Sequence, residues 1–341
     1  MQSRHSNGSL LTAPVVGRLS IWLISSLLTI GFGGSTAIAE DYPTQKVTMI
    51  VPTGPGGGME MMARMFATRM EQRLGKPFVI ENRAGAGGVL GSNAVAKAIP
   101  DGYTLLVANS TNLAINVSLY KSLPYDPTRE LVPVLMHALS PWVLVVNPSL
   151  QVNSARDLIA LAKSKPSELS YGSAGPGTAH HLFAEMFKSQ TGIQVTHVPY
   201  KSTMQPLNDV IAGHLQFMFT DLPPSQGLIK EGKLRALGVS SKVRVAAAPE
   251  IPPLNEAGVP GFEALSWHMI AVPAGTPTEV INKLHSELKI IAALPEVKSQ
   301  FDKIGLIPVD SPSPDQLREF VKSEIARWAP IVQQAGVMGM Q

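Results

Sequence analysis

Three glycine-rich loops each follow a short apolar segment and precede a helical pattern, and they are the part of this chain best suited to bind an anion. They run from Thr53 to Gly58, from Glu81 to Gly88 and from Gly172 to Gly177. The first residues of a helix have backbone N–H groups without partners inside the helix and carry a partial positive charge, so a carboxylate is stabilised there. Arg83 is the only basic residue in the three loops. The sequence therefore predicts that backbone donors, and not basic side chains, hold the anion; purely structural turns are the alternative.

Apolar strand patterns and helical patterns alternate around these loops, which predicts an α/β fold. Val47 to Val51 has the composition of a buried strand, and apolar residues from Met59 to Leu74 repeat at helical spacing. Ser154 is a predicted helix cap, with Asp157 three residues later. Further strands are predicted over 78–80, 103–108, 142–146, 195–200, 215–219 and 234–239, and further helices over 89–98, 204–212, 225–230, 277–293 and 314–334.

The sequence lacks the motifs of common enzyme classes. No loop fits the G-x-G-x-x-G dinucleotide pattern, and neither a phosphate loop with its lysine nor a G-x-S-x-G nucleophile turn occurs. The adjacent residues His180 and His181 would point about 100° apart on a helix, so they cannot chelate one metal together. We therefore expect no cofactor, no metal site and no catalytic residue.

The N-terminus has the pattern of a secretory signal peptide. Arg18 precedes an apolar segment from Leu19 to Ile30 that is too short to span a bilayer, and Ala37 and Ala39 supply an A-x-A cleavage site. We predict that residues 1–39 are removed and that the mature protein is periplasmic; a membrane anchor is the alternative. The chain has no cysteine, so it has neither a lipid-attachment cysteine nor a disulfide.

The charge distribution argues against nucleic acid as a partner. The sequence has 28 basic and 25 acidic residues, and loss of residues 1–39 removes Arg4 and Arg18, which leaves 26 against 25 and a net charge of +1. No basic cluster and no alternation of basic and aromatic residues occurs. About 300 residues remain after cleavage, enough for two domains of ordinary size.

The order of short motifs along the chain resembles that of the substrate-binding receptors of tripartite tricarboxylate transporters, also called Bug receptors. The motifs extend over essentially the whole predicted mature chain. They are Ile50 to Pro52, Gly56 to Gly58, Ala63 and Arg64, Glu81 to Gly88, Pro100 to Leu105, Tyr171 to Thr178, Val198 to Lys201, Gly232 to Ala236, Gly258 to Phe262, Trp267 and Pro273 to Pro277. The resemblance implies a type II periplasmic binding protein, a two-lobed Venus-flytrap clamshell. Such a receptor captures a small organic acid in the cleft between its lobes and delivers it to a membrane permease.

The resemblance also implies where the ligand binds. One lobe would comprise residues 40–142 plus 266–341, and the other residues 143–265. The predicted contacts are Thr53, Gly57, Gly58, Met59, Ser110 and Thr111 from the first lobe, and Ser173, Gly177, Thr178, Tyr200 and Asp221 from the second. The glycine-loop members would donate backbone N–H groups to a carboxylate, directly or through water. Asp221 would accept a hydrogen bond from a ligand hydroxyl or ammonium; a turn-forming acid beside Pro223 is the alternative.

Other conspicuous residues have structural roles in this interpretation. Glu60 stands where the family usually has aspartate, and we expect it to hold the first loop or the helix start; a direct contact with the ligand is the alternative. Arg64 and Arg83 are expected to fix the loops, His181 to pack within its helix, and Trp267 to lie in the core.

Two other functions remain as alternatives to a transport receptor. A solute sensor, which presents its ligand-bound form to a signalling protein, would have the same sequence features. An enzyme acting on a small acid would need a paired nucleophile and base, and the sequence shows none. The protein is expected to be a monomer.

Overall fold

Ten strands form one mixed sheet in the computed structural model, which describes residues 42–340. The strands are β1 (Val47–Val51), β2 (Phe78–Asn82), β3 (Thr104–Asn109), β4 (Leu131–Val146), β5 (Ser170–Ser173), β6 (Thr196–Pro199), β7 (Phe217–Asp221), β8 (Arg235–Val239), β9 (Leu265–Pro273) and β10 (Ile307–Pro308). The helices are α1 (Gly58–Leu74), α2 (Val89–Ala96), α3 (Asn116–Leu119), α4 (Ala155–Ser164), α5 (Ala179–Thr191), α6 (Met204–Ala212), α7 (Leu222–Lys230), α8 (Thr278–Ala293), α9 (Pro295–Lys303) and α10 (Pro314–Gln334). A 3₁₀ turn (Ala86–Gly88) precedes α2, and a π-helical turn (Thr111–Ile115) precedes α3.

Strand β4 runs through the whole sheet and connects its two halves. The strand order is β2-β1-β3-β9-β4-β7-β5-β6, and β8 and β10 also pair with β4. Residues 131–141 of β4 pair with β9, whereas residues 142–146 pair with β7 and β8. Strands β1, β2 and β3 are mutually parallel, as are β5, β6 and β7, and both β7 and β9 run antiparallel to β4.

The strand registers make the carboxyl ends of the two parallel sets face each other. Asn109, the last residue of β3, lies opposite His268, which lies opposite Ala138 of β4. Asp221, the last residue of β7, lies opposite Trp142 of β4. Because β3 runs with β4 and β7 runs against it, both strands end toward the short stretch of β4 between Ala138 and Trp142. Ligand sites in open α/β sheets lie at such carboxyl ends.

Helices pack on both faces of the sheet and bury its apolar side chains. On one face, α1 and α8 contribute Phe66 and Leu284 to a core shared with β1 and β9. On the other, α5 and α10 meet through Phe183 and Trp328, whose stacked rings are 5.7 Å apart. Helix α10 begins with a capping box between Ser313 and Gln316, which satisfies N–H groups at its first turn.

Most predicted elements are present, with some changed bounds. The helices over 204–212 and 314–334 are confirmed as α6 and α10, and the Ser154 side chain accepts the N–H of Asp157 as predicted. The strand expected to begin at Trp142 begins at Leu131, and β9 and α9 were not predicted. Helix α7 begins at Leu222 and not at Ser225, because prolines are tolerated in a first helical turn.

The predicted signal peptide, residues 1–39, lies outside the described residues. The described residues all belong to one compact unit, and the lobe boundaries 40–142 plus 266–341 and 143–265 stay a prediction. Within residues 42–340, no helix has the length and apolar character needed to cross a membrane.

Candidate functional site

A cavity of about 380 Å³ lies beside the point where the two sets of strand ends meet. Its walls are the beginning of α1, the beginning of α7 and the turn after α9, and β4 and β9 contribute one residue each. The lining residues are Gly58, Met59, Met61, Met62, Ser140, Asp221, Pro223, Pro224, His268, Ile304 and Leu306. Most of these side chains are apolar, and none is lysine or arginine.

The first glycine loop presents the start of α1 to this cavity. Gly57 is the N-cap residue in an extended conformation, with φ of −85° and ψ of 169°, and no side chain caps the helix. The first N–H groups of α1, including those of Gly58 and Met59, therefore have no acceptor inside the helix. Both residues line the cavity, so their N–H groups are suited to a carboxylate.

Glu60 holds this loop in shape. Its Oε2 atom accepts the N–H of Gly56 at 2.6 Å, and its Oε1 atom is bonded to the guanidinium of Arg64. The Gly56 N–H and then the Arg64 side chain lower the pKa of Glu60. Both residues therefore have the structural roles that the sequence predicted. Arg83 instead pairs with Glu81 at an exposed position, at 2.6 Å.

Asp221 is the only carboxylate among the residues that line the cavity. It ends β7 and is the N-cap residue of α7, but its side chain makes no capping hydrogen bond. An N-cap carboxylate normally accepts the N–H of the second or third helical residue. Here those positions are Pro223 and Pro224, which have no N–H. Burial raises the pKa of Asp221 to about 6, and the hydrogen bond from its own backbone N–H offsets part of this rise.

His268 and Ser140 are the other polar residues of the cavity wall. His268 is 9 % exposed, and its Nδ1 atom has no hydrogen-bond partner within residues 42–340. Burial lowers the pKa of His268 to about 4, so its ring is neutral at pH 7. The ring stacks on that of His137, with the centroids 6.0 Å apart.

The third glycine loop is held by its own contacts and does not line the cavity. The Ser173 hydroxyl is buried, lies 2.6 Å from Nε2 of His197 and accepts the N–H of Gly175. His181 is buried as predicted, and its Nδ1 atom accepts the N–H of Gly177 at 3.2 Å.

The pair of Ser173 and His197 is a serine–histidine contact that the sequence did not reveal. Ser173 is 0 % exposed, so its hydroxyl lies out of a substrate's reach in this conformation. Burial lowers the pKa of His197 to about 4, which makes it a poor base at pH 7. The arrangement fixes the loop and does not resemble an active nucleophile.

The remaining predicted contacts lie outside the cavity wall. The Thr53 carbonyl accepts a hydrogen bond from the Asn82 side chain, while the Thr53 hydroxyl is buried and has no partner in the part of the chain that the structure describes. Ser110 is buried, and the Thr111 N–H donates to Asn109. The hydroxyl of Thr178 donates to the Gly175 carbonyl, and that of Tyr200 to Asp209. The cavity thus unites Gly58, Met59 and Asp221 of the predicted set, and the roles of all these residues in binding stay predictions.

Sequence reasoning missed Ser140, His268 and the two prolines as parts of the site. Ser140 and His268 lie on β4 and β9, strands that are neighbours only in the folded sheet. Trp267, by contrast, is buried in the core as predicted and donates its indole N–H to Glu324 at 2.9 Å. Within residues 42–340, no three or more His, Asp or Glu side chains are grouped so that they could hold a metal ion.

A family model and individual relatives that match this chain point to the same family. Residues 62–337 match the sequence model of the family described as "Tripartite tricarboxylate transporter family receptor". Protein BugT of Bordetella pertussis is 38% identical over 299 residues, which cover 87% of this chain and 91% of BugT.

Solved structures agree with the sequence comparison. R. palustris Rpa4515 with adipate has a TM-score of 0.76 and 36% identity, and the match covers 87% of this chain and 99% of that one. MatC from Rhodopseudomonas palustris with bound malate has a TM-score of 0.72 and 28% identity, and the match covers 85% of this chain and 100% of that one. The fold is therefore the two-lobed α/β fold of periplasmic binding proteins.

Proposed function

This chain belongs to the tripartite tricarboxylate transporter receptor family, and on that premise we propose that it binds a small organic acid in the periplasm and delivers it to the membrane permease of a tripartite transporter. Its family is one of solute receptors and not of enzymes. The similar proteins solved with adipate and with malate support a carboxylate as the ligand.

The observation that carries the proposal is the uncapped start of α1 at the wall of the cavity. Gly58 and Met59 line this cavity, and they are the first two residues of α1, whose N–H groups have no acceptor inside the helix. A carboxylate at such a position is stabilised by roughly 0.3–1 kcal/mol when exposed and up to about 2 kcal/mol when partly buried. With no lysine or arginine among the lining residues, these backbone groups and the neutral donors of Ser140 and His268 are what the cavity offers to an anion.

Closure of two lobes would complete the site. We propose that residues 40–142 plus 266–341 move relative to residues 143–265. Strand β4 passes from one half of the sheet to the other between Pro141 and Trp142, and β9 begins at Leu265, so the chain crosses there twice. A ligand that contacts both halves favours the closed form by its differential affinity. Thr53, Ser110, Ser173 and Thr178 would then approach it from the two sides.

Delivery and location rest on the family and on the predicted signal peptide. We propose export with cleavage near Ala39, a monomeric soluble receptor, and permease subunits as the protein partner. The N-terminus of the mature protein, sequenced from a periplasmic extract, should lie at or near Glu40. Recovery of an uncleaved chain from the membrane fraction would exclude this location.

A matched pair of variants at Gly58 tests the binding site. Gly58 is the first helical residue, where proline is favoured, and the extended Gly57 before it is compatible with a following proline. Gly58→Pro removes one N–H, whereas Gly58→Ala retains it, and a Cβ at Gly58 meets no atom within 4 Å.

The readout is a thermal-shift screen with mono-, di- and tricarboxylates followed by calorimetry. Stabilising acids should be recovered chemically unchanged and should compact the protein in small-angle scattering. We expect Gly58→Pro to weaken binding about tenfold or more, and Gly58→Ala to bind like the parent. Equal binding by both variants would remove α1 from the site, and turnover of the acid would exclude a receptor.

A further inference from the structure

We infer that the ligand is a carboxylate with an apolar body whose far end carries a hydrogen-bond donor, and that Asp221 receives this donor. The donor is a hydroxyl, an ammonium or a protonated carboxylic acid. The inference rests on the proposed function, because it places the ligand's anionic end at the start of α1, and it names the class of acid that this chain selects.

The Asp221 carboxylate lacks the hydrogen bonds that an N-cap aspartate usually accepts. Pro223 and Pro224 occupy the two positions of α7 from which an N-cap carboxylate would take its hydrogen bonds. Aspartate is a favoured N-cap residue because it accepts those bonds, and this sequence removes them. Among residues 42–340, no side chain is hydrogen-bonded to the Asp221 carboxylate, which lines the cavity and interacts with its own backbone N–H. Its acceptor capacity is therefore available to a bound molecule.

The cavity wall around Asp221 is mostly apolar. Met59, Met61, Met62, Ile304 and Leu306 supply the apolar surface. An apolar ligand body is favoured against them by the hydrophobic effect, while a ligand with many hydroxyls or a third carboxylate would lose hydration without compensation. The volume of about 380 Å³ suits a small ligand.

The residues that line the cavity include no lysine or arginine to balance the charge of Asp221. His268 is the other titratable residue of the wall, and burial keeps it neutral at pH 7. On the adjoining elements, Glu60 and Arg64 of α1 are paired with each other, while Lys303 of α9 and Lys230 of α7 are absent from the cavity wall. A second ionised carboxylate of the ligand would thus meet the Asp221 carboxylate with no cation in the wall to compensate.

The protonation state of Asp221 should decide which end group of the ligand binds best at a given pH. Burial raises the pKa of Asp221 to about 6, so it is an ionised acceptor at pH 7.5 and becomes protonated as the pH falls to 5. An ammonium end should bind best at pH 7.5. A carboxylate end should bind better at pH 5, where one proton can be shared between the two carboxyl groups.

The test is calorimetry with four acids of one chain length that differ only at the far end. They are hexanoate, 6-hydroxyhexanoate, 6-aminohexanoate and adipate. A second series, benzoate, 4-hydroxybenzoate, 4-(aminomethyl)benzoate and terephthalate, tests the same end groups on a rigid aromatic body. The proteins are the parent, Asp221→Asn and the control Asp302→Asn, whose carboxylate lies outside the wall.

At pH 7.5 we expect the hydroxyl and ammonium acids to bind the parent about tenfold or more tightly than the matched dianion. Asp221→Asn should lose this preference for the ammonium and bind the dianion more tightly, whereas Asp302→Asn should behave like the parent. The dianion should gain affinity at pH 5 more in the parent than in Asp221→Asn.

Tighter binding of the dianion to the parent at pH 7.5, or an unchanged ranking in Asp221→Asn, would overturn the inference. Binding of citrate or another polar acid with neither series bound would also overturn it, yet would leave the proposed receptor function in place. Failure of every carboxylate to bind would reject the receptor function itself.

Discussion

The Glu60 carboxylate accepts the N–H of Gly56 at 2.6 Å and thereby closes a short ring across the start of α1. Gly56 has a φ of +85°, a conformation that glycine adopts without strain. The ring fixes the glycine loop while leaving the first N–H groups of α1 uncapped. Binding of an anion then requires little further ordering of the loop, which preserves affinity.

Loss of the Glu60 side chain should loosen the loop without unfolding the protein. We expect Glu60→Ala to weaken ligand binding about tenfold, because the loop must be ordered on binding. The control is Glu71→Ala, an exposed glutamate on the same helix. Calorimetry measures the affinity for the ligand, and thermal unfolding measures the stability of the protein. Wild-type affinity of Glu60→Ala would show that the ring is not needed.

Asp221→Asn should stabilise the ligand-free protein at neutral pH. The folded state raises the pKa of Asp221 from 3.8 to about 6, so its ionisation costs stability as the pH rises through about 6. Two pKa units correspond to almost 3 kcal/mol, and the partial exposure of the side chain reduces the expected gain to about 1–2 kcal/mol.

Urea unfolding at two pH values measures this gain. It should be present at pH 7.5 and nearly absent at pH 4, where Asp221 is protonated in the folded parent. Asp310→Asn, at a residue with 88% exposed side chain, should change stability little at either pH. A less stable Asp221→Asn protein at pH 7.5 would contradict the assignment of an uncapped, partly buried carboxylate.

Local sequence patterns predicted most of the elements, and the failures have physical reasons. Helix α9 buries only Val297 and Phe301, so its helical pattern is weak. Strand β9 is buried on both faces, except for one partly buried residue. Its sequence therefore lacks the alternation of apolar and polar residues that indicates a half-buried strand. The first part of β4 was not predicted for the same reason, since residues 131–138 are all buried.

The site could be predicted only where its signal was local. The glycine loop before α1 and the Asp221 carboxylate lie at strand ends, and both were predicted. Ser140 and His268 gave no such signal, because only the pairing of β4 with β9 brings together residues far apart in sequence. The uncapped state of Asp221 could have been read from the two prolines that follow Leu222.

Buried neutral histidine should make the protein sensitive to acid. Burial, and then the neighbouring His268, lower the pKa of His137 well below 6.5. The unfolded chain therefore binds a proton below pH 6.5 that the folded protein does not, so stability is complete above pH 6.5 and is lost as the pH falls.

The variant His137→Leu should lose less stability than the parent between pH 7.5 and pH 5. His137 packs against Phe66 and Phe301, at 5.0 and 5.9 Å between ring centroids. Its Nδ1 atom has no hydrogen-bond partner among the described residues, so we expect an apolar replacement to be tolerated. His214→Leu, whose side chain is 74% exposed, is the control. Denaturant midpoints at the two pH values measure the difference, and an equal loss in parent and variant would assign the acid sensitivity to other groups.

Gly177 provides a test of whether the two predicted lobes move. It has a φ of +75°, and a Cβ there would overlap the buried side chain of Leu119, which belongs to the other predicted lobe. Gly192 has a similar φ of +69°, but a Cβ there meets no atom within 4 Å. Gly192→Ala should therefore cost only the backbone strain, about 1–2 kcal/mol.

If the lobes separate, opening relieves the overlap between residue 177 and Leu119. Gly177→Ala should then cost no more unfolding free energy than Gly192→Ala, yet should weaken ligand binding, because only the closed form retains the overlap. If residues 42–340 form one rigid body, overpacking should add about 1–3 kcal/mol to the destabilisation. We expect the first result, with urea unfolding, calorimetry and a larger radius of gyration in small-angle scattering as the measurements. An additional loss of stability in Gly177→Ala would contradict lobe movement at this contact.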